Sequence, residues 1–486
     1  MSTATLVTFI IYLLGMLAIG IFFYRMTSSL SDYVLGGRTL GPGVAAISAG
    51  ASDMSGWLLL GLPGAAYVSG FSSAWIAIGL AIGAYINWQF VARRLRSYSE
   101  VSNNSITIPD YLENRFKDSS KSLRVISALV ILLFFTFYTS SGMVAGAKLF
   151  EASFGFQYET ALWIGAIVII SYTFLGGFLA VSWTDFIQGI LMFAALIIVP
   201  FAAISEVGGW GYAVDTVSTL NPDGIDILAG TTTMGIISLM AWGLGYFGQP
   251  HIITRFMALK SVRDVPKARL IGTVWMVFGL FGAVFTGFAG IVYFADAPLA
   301  DPETVFMDFT QVLFNPWVAG ILLAAILSAI MSTIDSQLLV SSSAVAEDFY
   351  KAIFRKQASQ KELVWVGRIA VVAIAFIAIA LAMNPDSSVL NLVSYAWGGF
   401  GAAFGPVIIL SLFWKRMNRN GALVGLITGA VVVVVWEKLS GGLFDLYEIV
   451  PGFILSTLAI IIVSLITSPP SNEIEEEFDQ AKKEAY

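Results

Sequence analysis

The chain has 486 residues, 57% hydrophobic and only 12% charged, with a mean hydropathy of +0.81. Soluble domains carry roughly 25% charged residues, so this composition is that of an integral membrane protein. The net charge of −6 is spread along the loops and gives no sign of nucleic-acid binding. Apolar runs of about 20 residues, the length that crosses a hydrocarbon core, fall near 4–24, 41–68, 73–92, 122–150, 159–179, 183–205, 231–256, 269–294, 314–345, 364–383, 389–414, 420–437 and 448–467. The first has no positive region before it and no small-residue cleavage site after it, so it reads as a retained span. The expected fold is all-α, with about thirteen transmembrane helices and no soluble domain.

Orientation follows from lysine and arginine. With the N-terminus outside, Arg25, Arg38, Arg93, Arg94, Arg96, Arg115, Lys117, Lys121 and Arg124 fall in the cytoplasm, as do the basic residues at 255–269, 351–368, 415–419 and 482–483. Only Lys148 and Lys438, of 26 basic residues, remain outside. The chain is therefore expected N-out and C-in. The outer loops at 206–226 and 296–308 are acidic, and the second is long enough for a short surface helix. The charged tail SNEIEEEFDQAKKEAY is expected to be solvated and only partly ordered.

Two spans are irregular. The second is interrupted by Gly50-Ala51-Ser52-Asp53-Met54-Ser55-Gly56. An intramembrane carboxylate costs several kcal/mol without a partner, so Asp53 is a functional candidate; it or Ser55 could also simply cap the second half-helix. The seventh carries three glycines and Pro250 in Trp242-Gly243-Leu244-Gly245-Tyr246-Phe247-Gly248-Gln249-Pro250, where the helix should kink or open. The two broken spans are five apart, an odd number, so they enter the membrane from opposite sides. That is the arithmetic of an inverted five-plus-five repeat whose broken helices meet at the midplane. It divides the chain into residues 1–40, a first span and cytoplasmic loop; 41–206 and 207–416, the two repeats; 417–467, two peripheral spans; and 468–486, the tail.

Other groups stand out against the apolar background. Ala329, Ser332, Asp335 and Ser336 share one helix face, and hydroxyls and carboxylates are hard oxygen donors suited to a small alkali cation. Ser332 and Thr333 could instead bond back to their own helix carbonyls. Asp185 opens the sixth span, either as a charge favoured by the helix dipole or as part of an ion path. Tyr138, Trp242 and Tyr246 could wall a small-solute pocket, or pack as ordinary membrane aromatics. With no cysteine and one histidine, His251, there is no disulfide framework, thiol nucleophile or His-based zinc centre. No phosphate-binding loop occurs, so ATP hydrolysis is excluded and the energy source is an ion gradient or nothing.

The segments GASDMSGWLLLGLPGA, ISALVILLFFTFYTSSGMVAGAKLFE, YTFLGGFLAVSWTDFIQ, WGLGYFGQPHIITRFMA, AGILLAAILSAIMST, SQKELVWVGR, VSYAWGGFGAAFGPV and RNGALVG closely resemble the proline-transporting members of the solute:sodium symporter family. The resemblance covers nearly the whole chain. It implies thirteen spans, a LeuT-like core with one extra N-terminal and two extra C-terminal helices, no cofactor, and sodium-driven uptake of L-proline across the bacterial inner membrane. It implies a sodium site of the Ala51, Met54 and Ala329 carbonyls with the Ser332 and Thr333 hydroxyls. It also implies a proline pocket of Ser55, Gly56, Trp57, Tyr138, Trp242, Tyr246 and Pro250, with Asp53 and Asp185 linked to sodium. Asp335 departs from the proline-transporting pattern, which carries a neutral hydroxyl residue there. In the sialic-acid branch that helix face joins the Asp185 position in a second sodium site, so Asp185, Ser332, Asp335 and Ser336 are expected either to hold a second cation or to keep one carboxylate protonated. Two rivals remain: a symporter for another small amino or carboxylic acid, and a passive channel or membrane sensor. A channel should show a continuous polar stripe, and a sensor a soluble signalling domain.

Overall fold

The computed structural model describes residues 3–24, 29–174 and 177–486. Arg25, counted above among the cytoplasmic charges, and Leu175 and Gly176 of the YTFLGG motif lie outside the described residues. The helices that build the bundle are α1 (Thr3–Tyr24), α2 (Pro42–Asp53), α3 (Leu62–Ser69), α4 (Ala74–Ile86), α5 (Ser122–Phe154), α6 (Tyr158–Thr173), α7 (Phe178–Glu206), α8 (Thr233–Met240), α9 (Pro250–Ala258), α10 (Val265–Tyr293), α11 (Pro316–Ser343), α12 (Gln360–Leu381), α13 (Val389–Phe413), α14 (Arg419–Trp436) and α15 (Ile449–Ile466); a final helix, α16, covers Asn472–Glu484. Among the described residues no β-strand forms; one isolated bridge joins Leu40 to Leu259. In hydrocarbon every backbone group must be satisfied within its own segment, which is why apolar sequence of this length becomes helix.

Among the described residues ten helices are long and apolar enough to cross a membrane, and two shorter apolar ones, Tyr158–Ser171 and Thr233–Gly248, accompany them. Burial sorts them into layers. α11 and α13 each have 83% of their apolar window inside the molecule, against 22% for α1 and 33% for α14 and α15. The first form the centre, and the others lie at the rim with most of their surface facing outward. Close approach in the centre depends on residues without side chains. At Gly79 of α4 an added Cβ would collide with the Met240 carbonyl oxygen, so α4 and α8 touch backbone to backbone.

The ends of the bundle are tied by charge. At one end the Arg124 guanidinium bonds Asp110 and Glu113 and reaches Asp348 at 3.2 Å. At the other the Lys148 ammonium bonds Asp301 at 2.8 Å and Glu303 at 2.7 Å. Glu303 also accepts from the Ser388 hydroxyl and from the Val389 and Leu390 amides at 3.0–3.2 Å, so it caps the start of α13. A cavity of about 450 Å3 lies beside this cluster, lined by Gly64, Asp301, Asp386 and Ser388 among others.

Two expectations about polar segments are corrected. The helix that starts in the 296–308 loop, Val305–Leu313, is more embedded than a helix merely resting on the surface: it buries Val305, Phe306, Met307 and Phe309 and exposes Gln311 and Val312. The tail is not a solvated end: α16 is docked, with Ile474, Phe478 and Ala481 buried on one stripe. Its acidic face pairs with Lys117 and Lys415. Charged composition masked an i, i+4, i+7 apolar stripe too narrow to raise the segment's hydropathy.

Candidate ion and solute site

α2 stops at Asp53, and the way it stops creates the site. Met54 leaves helical geometry at φ −75, ψ 72 while its N–H still reaches the Gly50 carbonyl at 2.8 Å. The next amide, Ser55, should serve the Ala51 carbonyl four residues back, but it turns to the Asp53 carbonyl at 2.8 Å. The Ala51 carbonyl is thus released from the ladder in the interior of the protein. Two side chains of α11 approach it: the Ser332 hydroxyl donates to it at 2.8 Å and the Thr333 hydroxyl at 3.4 Å. Ser332 lies 3.2 Å from the Ala329 carbonyl as well. Ser332 therefore does both things expected of the pair, bonding its own helix and bridging to α2, and Thr333 bridges to α2. Met54, Ala329, Ser332 and Thr333 are all buried around this point. Carbonyl and hydroxyl oxygens without a carboxylate make a cage suited to one monovalent cation.

The chain resumes helix through a π-helical turn at Trp57–Gly61 that runs into α3. Gly56 lies where an added Cβ would meet Ala145 at 2.7 Å and Ile330 at 3.2 Å, so only glycine fits between α5 and α11. The opposite break differs in form. α8 tightens into a 3-10 run, Ala241–Gly248, Gln249 is extended at ψ 108, and Pro250 starts α9. Proline occupies the first helical position, where its missing N–H costs nothing; the opening lies just before it rather than at a kink within a helix.

The two breaks meet. Asp53 is fully buried, and one of its carboxylate oxygens accepts the Tyr246 hydroxyl. Its carbonyl accepts from the Trp57 indole at 3.0 Å and from the Tyr138 hydroxyl at 3.2 Å. The Trp57 and Trp242 rings lie 5.9 Å apart, and Trp242 stacks on Trp397 at 6.4 Å. An aromatic box thus stands beside the freed carbonyl. Sequence reasoning missed three of its members. Trp397 holds the second break by donating to the Trp242 carbonyl at 2.7 Å, and Tyr447 packs 5.8 Å from Trp242. His251 lies between Phe135 and Tyr138. Trp397 sits in the glycine-rich VSYAWGGFGAAFGPV, a signal that could have found it; Tyr447 precedes a peripheral span and gave none.

Asp185 lies eight residues into α7, well beyond the first turn where a helix dipole acts, and is fully buried. Of the four residues expected around a second cation, Asp185 and Ser336 come within 3.5 Å, Ser332 turns to Ala51, and Asp335 stays on the same helix. One guanidinium nitrogen of Arg255, carried by α9, bonds both Asp185 and Ser336.

A family model described as the sodium:solute symporter family matches residues 33–429. The chain belongs to the sodium:solute symporter family. It is accordingly a multi-pass membrane transporter and not an enzyme. Among its relatives in this family, the sodium/proline symporter of Escherichia coli (strain K12) is 57% identical, covering 99% of this chain and 96% of the relative. The high-affinity proline transporter of Bacillus subtilis (strain 168) is 56% identical over 96% of this chain and 98% of its own. In three dimensions, the substrate-bound outward-open state of a sodium-coupled sialic acid symporter superposes with a TM-score of 0.82 at 20% identity, covering 97% of this chain and 99% of the other. A nucleobase-cation-symport-1 family transporter in a closed conformation superposes at 0.58 with 15% identity, over 93% and 99% of the two chains. These two likenesses establish the fold.

Proposed function

We propose that this protein imports L-proline by sodium-coupled symport with alternating access. The observation that carries the reading is the Ala51 carbonyl, released by the break after α2 and met by the Ser332 and Thr333 hydroxyls of α11. Sodium binds there through the Ala51, Met54 and Ala329 carbonyls and those two hydroxyls. L-Proline binds alongside, among Ser55, Gly56, Trp57, Tyr138, Trp242, Tyr246 and Pro250. Asp53 links the two through Tyr246, and Asp185 receives sodium on its way to the cytoplasm. The names and high identity of the proline-transporting relatives favour this solute over another small amino or carboxylic acid. Polar groups gathered at two breaks, not along a stripe, favour a carrier over a channel.

Thirteen spans are proposed: α1, two inverted five-span repeats at 41–206 and 207–416, and the peripheral α14 and α15 within 417–467, followed by the tail at 468–486. The outward-facing surfaces of α1, α14 and α15 support their place outside the repeats. The protein lies in the bacterial inner membrane with its N-terminus outside. Cation binding draws α2 and α11 together and sets Asp53 and Tyr246 for the solute, so each ligand raises the affinity of the other by one shared factor.

The test is uptake of labelled L-proline into proteoliposomes with sodium and proton gradients imposed separately. Accumulation is expected with the sodium gradient alone. Equal accumulation with the proton gradient alone, or none with either, would overturn the reading.

A further inference from the structure

Arg255 is fully buried, and four hydrogen bonds hold its guanidinium. Its Nη2 donates to Asp185 Oδ2 at 3.1 Å and to the Ser336 hydroxyl at 2.6 Å. Its Nε donates to the Ser48 hydroxyl at 3.1 Å, and Nη1 to the His251 carbonyl at 2.6 Å. Ser48 in turn donates to Asp185 Oδ2 at 2.7 Å. Four elements meet at this one side chain: α2 through Ser48, α7 through Asp185, α9 through Arg255 itself, and α11 through Ser336. Asp335, next to Ser336, is within electrostatic range of the guanidinium.

Without the guanidinium, the same atoms form an oxygen cage. Asp185 supplies two carboxylate oxygens, Ser48 and Ser336 a hydroxyl each, and all three residues are fully buried. Asp185 Oδ1 has no hydrogen-bond partner, so the cage offers more acceptor capacity than the arginine consumes. Hard oxygens around one negative charge are what a monovalent cation selects. An arginine differs from sodium in one decisive way: it carries its charge permanently and is fixed to the chain. A cation held here by a covalent tether neutralises Asp185 wherever the pair is formed, yields Asp185 to the transported sodium only when α9 moves aside, and itself never crosses the membrane.

We propose that Arg255 is a tethered cation standing in place of a second transported sodium ion. Coupling is therefore to one sodium per solute, and removal of the guanidinium uncovers a sodium site formed by Asp185, Ser48 and Ser336. The inference rests on the sodium-coupled reading above, but its test needs no solute. The midpoint of sodium binding is not diagnostic, because Ser336 is one helical turn from Ser332 and losing a charge there shifts the first site too. The number of ions bound is diagnostic.

The experiment counts radioactive sodium bound at saturation by the purified full-length protein. One ion is expected in the wild type, two in Arg255→Ala, and one again in Arg255→Lys and in Arg255→Ala/Asp185→Asn. Two ions in the wild type, or one in a folded Arg255→Ala, would overturn the proposal. Arg255→Ala leaves Asp185 buried and unpaired, so its folding is followed by thermal melting in sodium chloride and in potassium chloride of equal ionic strength. Sodium-specific recovery of the melting transition supports the uncovered site, and equal behaviour in both salts counts against it. A wild type that binds one sodium but moves no proline would sink the solute reading and leave this one intact.

Discussion

Ser332 holds the freed Ala51 carbonyl at 2.8 Å with a hydroxyl that costs its own helix nothing. Ser332→Ala removes one oxygen of the proposed sodium cage and leaves a good helix former in a fully buried position. A single polar contact to an ion or charge is worth about 1.5–3 kcal/mol, so the sodium concentration for half-maximal uptake should rise roughly ten-fold or more, at about 1.4 kcal/mol per decade. Thr333→Ala should act in the same direction. A sodium titration of initial proline uptake, alongside the amount of protein in the membrane, checks both; loss of protein without a shift in the sodium curve would make the two hydroxyls structural. Residues of this kind were legible because polarity in an apolar run has to be accounted for: Asp53, Ser332 and Thr333 each announce themselves. Arg255 did not. It stands at the end of an apolar run with Lys260 and Arg263 soon after, and a basic residue there reads as a cytoplasmic flank until the fold shows it buried.

At the scale of elements, glycine and proline located both breaks but not their form. The first resumes as a π-helical turn and the second tightens into a 3-10 run, a difference set by what each packs against. At the first break, Gly56 has Ala145 and Ile330 on its Cα. Gly56→Ala pushes a methyl group against two helices, α5 and α11, and α11 carries Ser332. Overpacking of a filled interior costs about 1–3 kcal/mol, and here the displacement falls on the ion cage. The expected outcome is a folded protein with a melting temperature lowered by a few degrees and a sodium dependence weakened several-fold. Unchanged sodium dependence would mean that the break tolerates a side chain and that its backbone path is not set by this contact. The docked tail shows the complementary failure of sequence reading. Its period was present in Ile474, Phe478 and Ala481, but a segment half made of charges looks unstructured unless the lysines that neutralise it, Lys117 and Lys415, are known to be within reach.

For the whole molecule, the distribution of charge sets which way the transport cycle runs. With the buried Arg255 set aside, twenty-three of the 26 basic residues fall on one side of the proposed topology, among them Arg124 with its carboxylate partners. Lys148, on the other, is neutralised by Asp301 and Glu303. Basic residues close to span ends stay in the cytoplasm during insertion, so the Arg124 end should face inward and the Lys148 end outward. The chain has no cysteine, so single introduced thiols report position without a background. Asp215, on the helix Trp210–Leu220, and Lys356, in a turn, are both exposed and fall on opposite sides of the proposed topology. In right-side-out vesicles a membrane-impermeant maleimide should label Asp215→Cys and spare Lys356→Cys, and in inside-out vesicles the pattern should reverse. The opposite result would put the N-terminus inside. It would also turn the sodium path from Ala51 past Asp185 toward the outside, and a sodium gradient directed inward could then no longer drive uptake by that route.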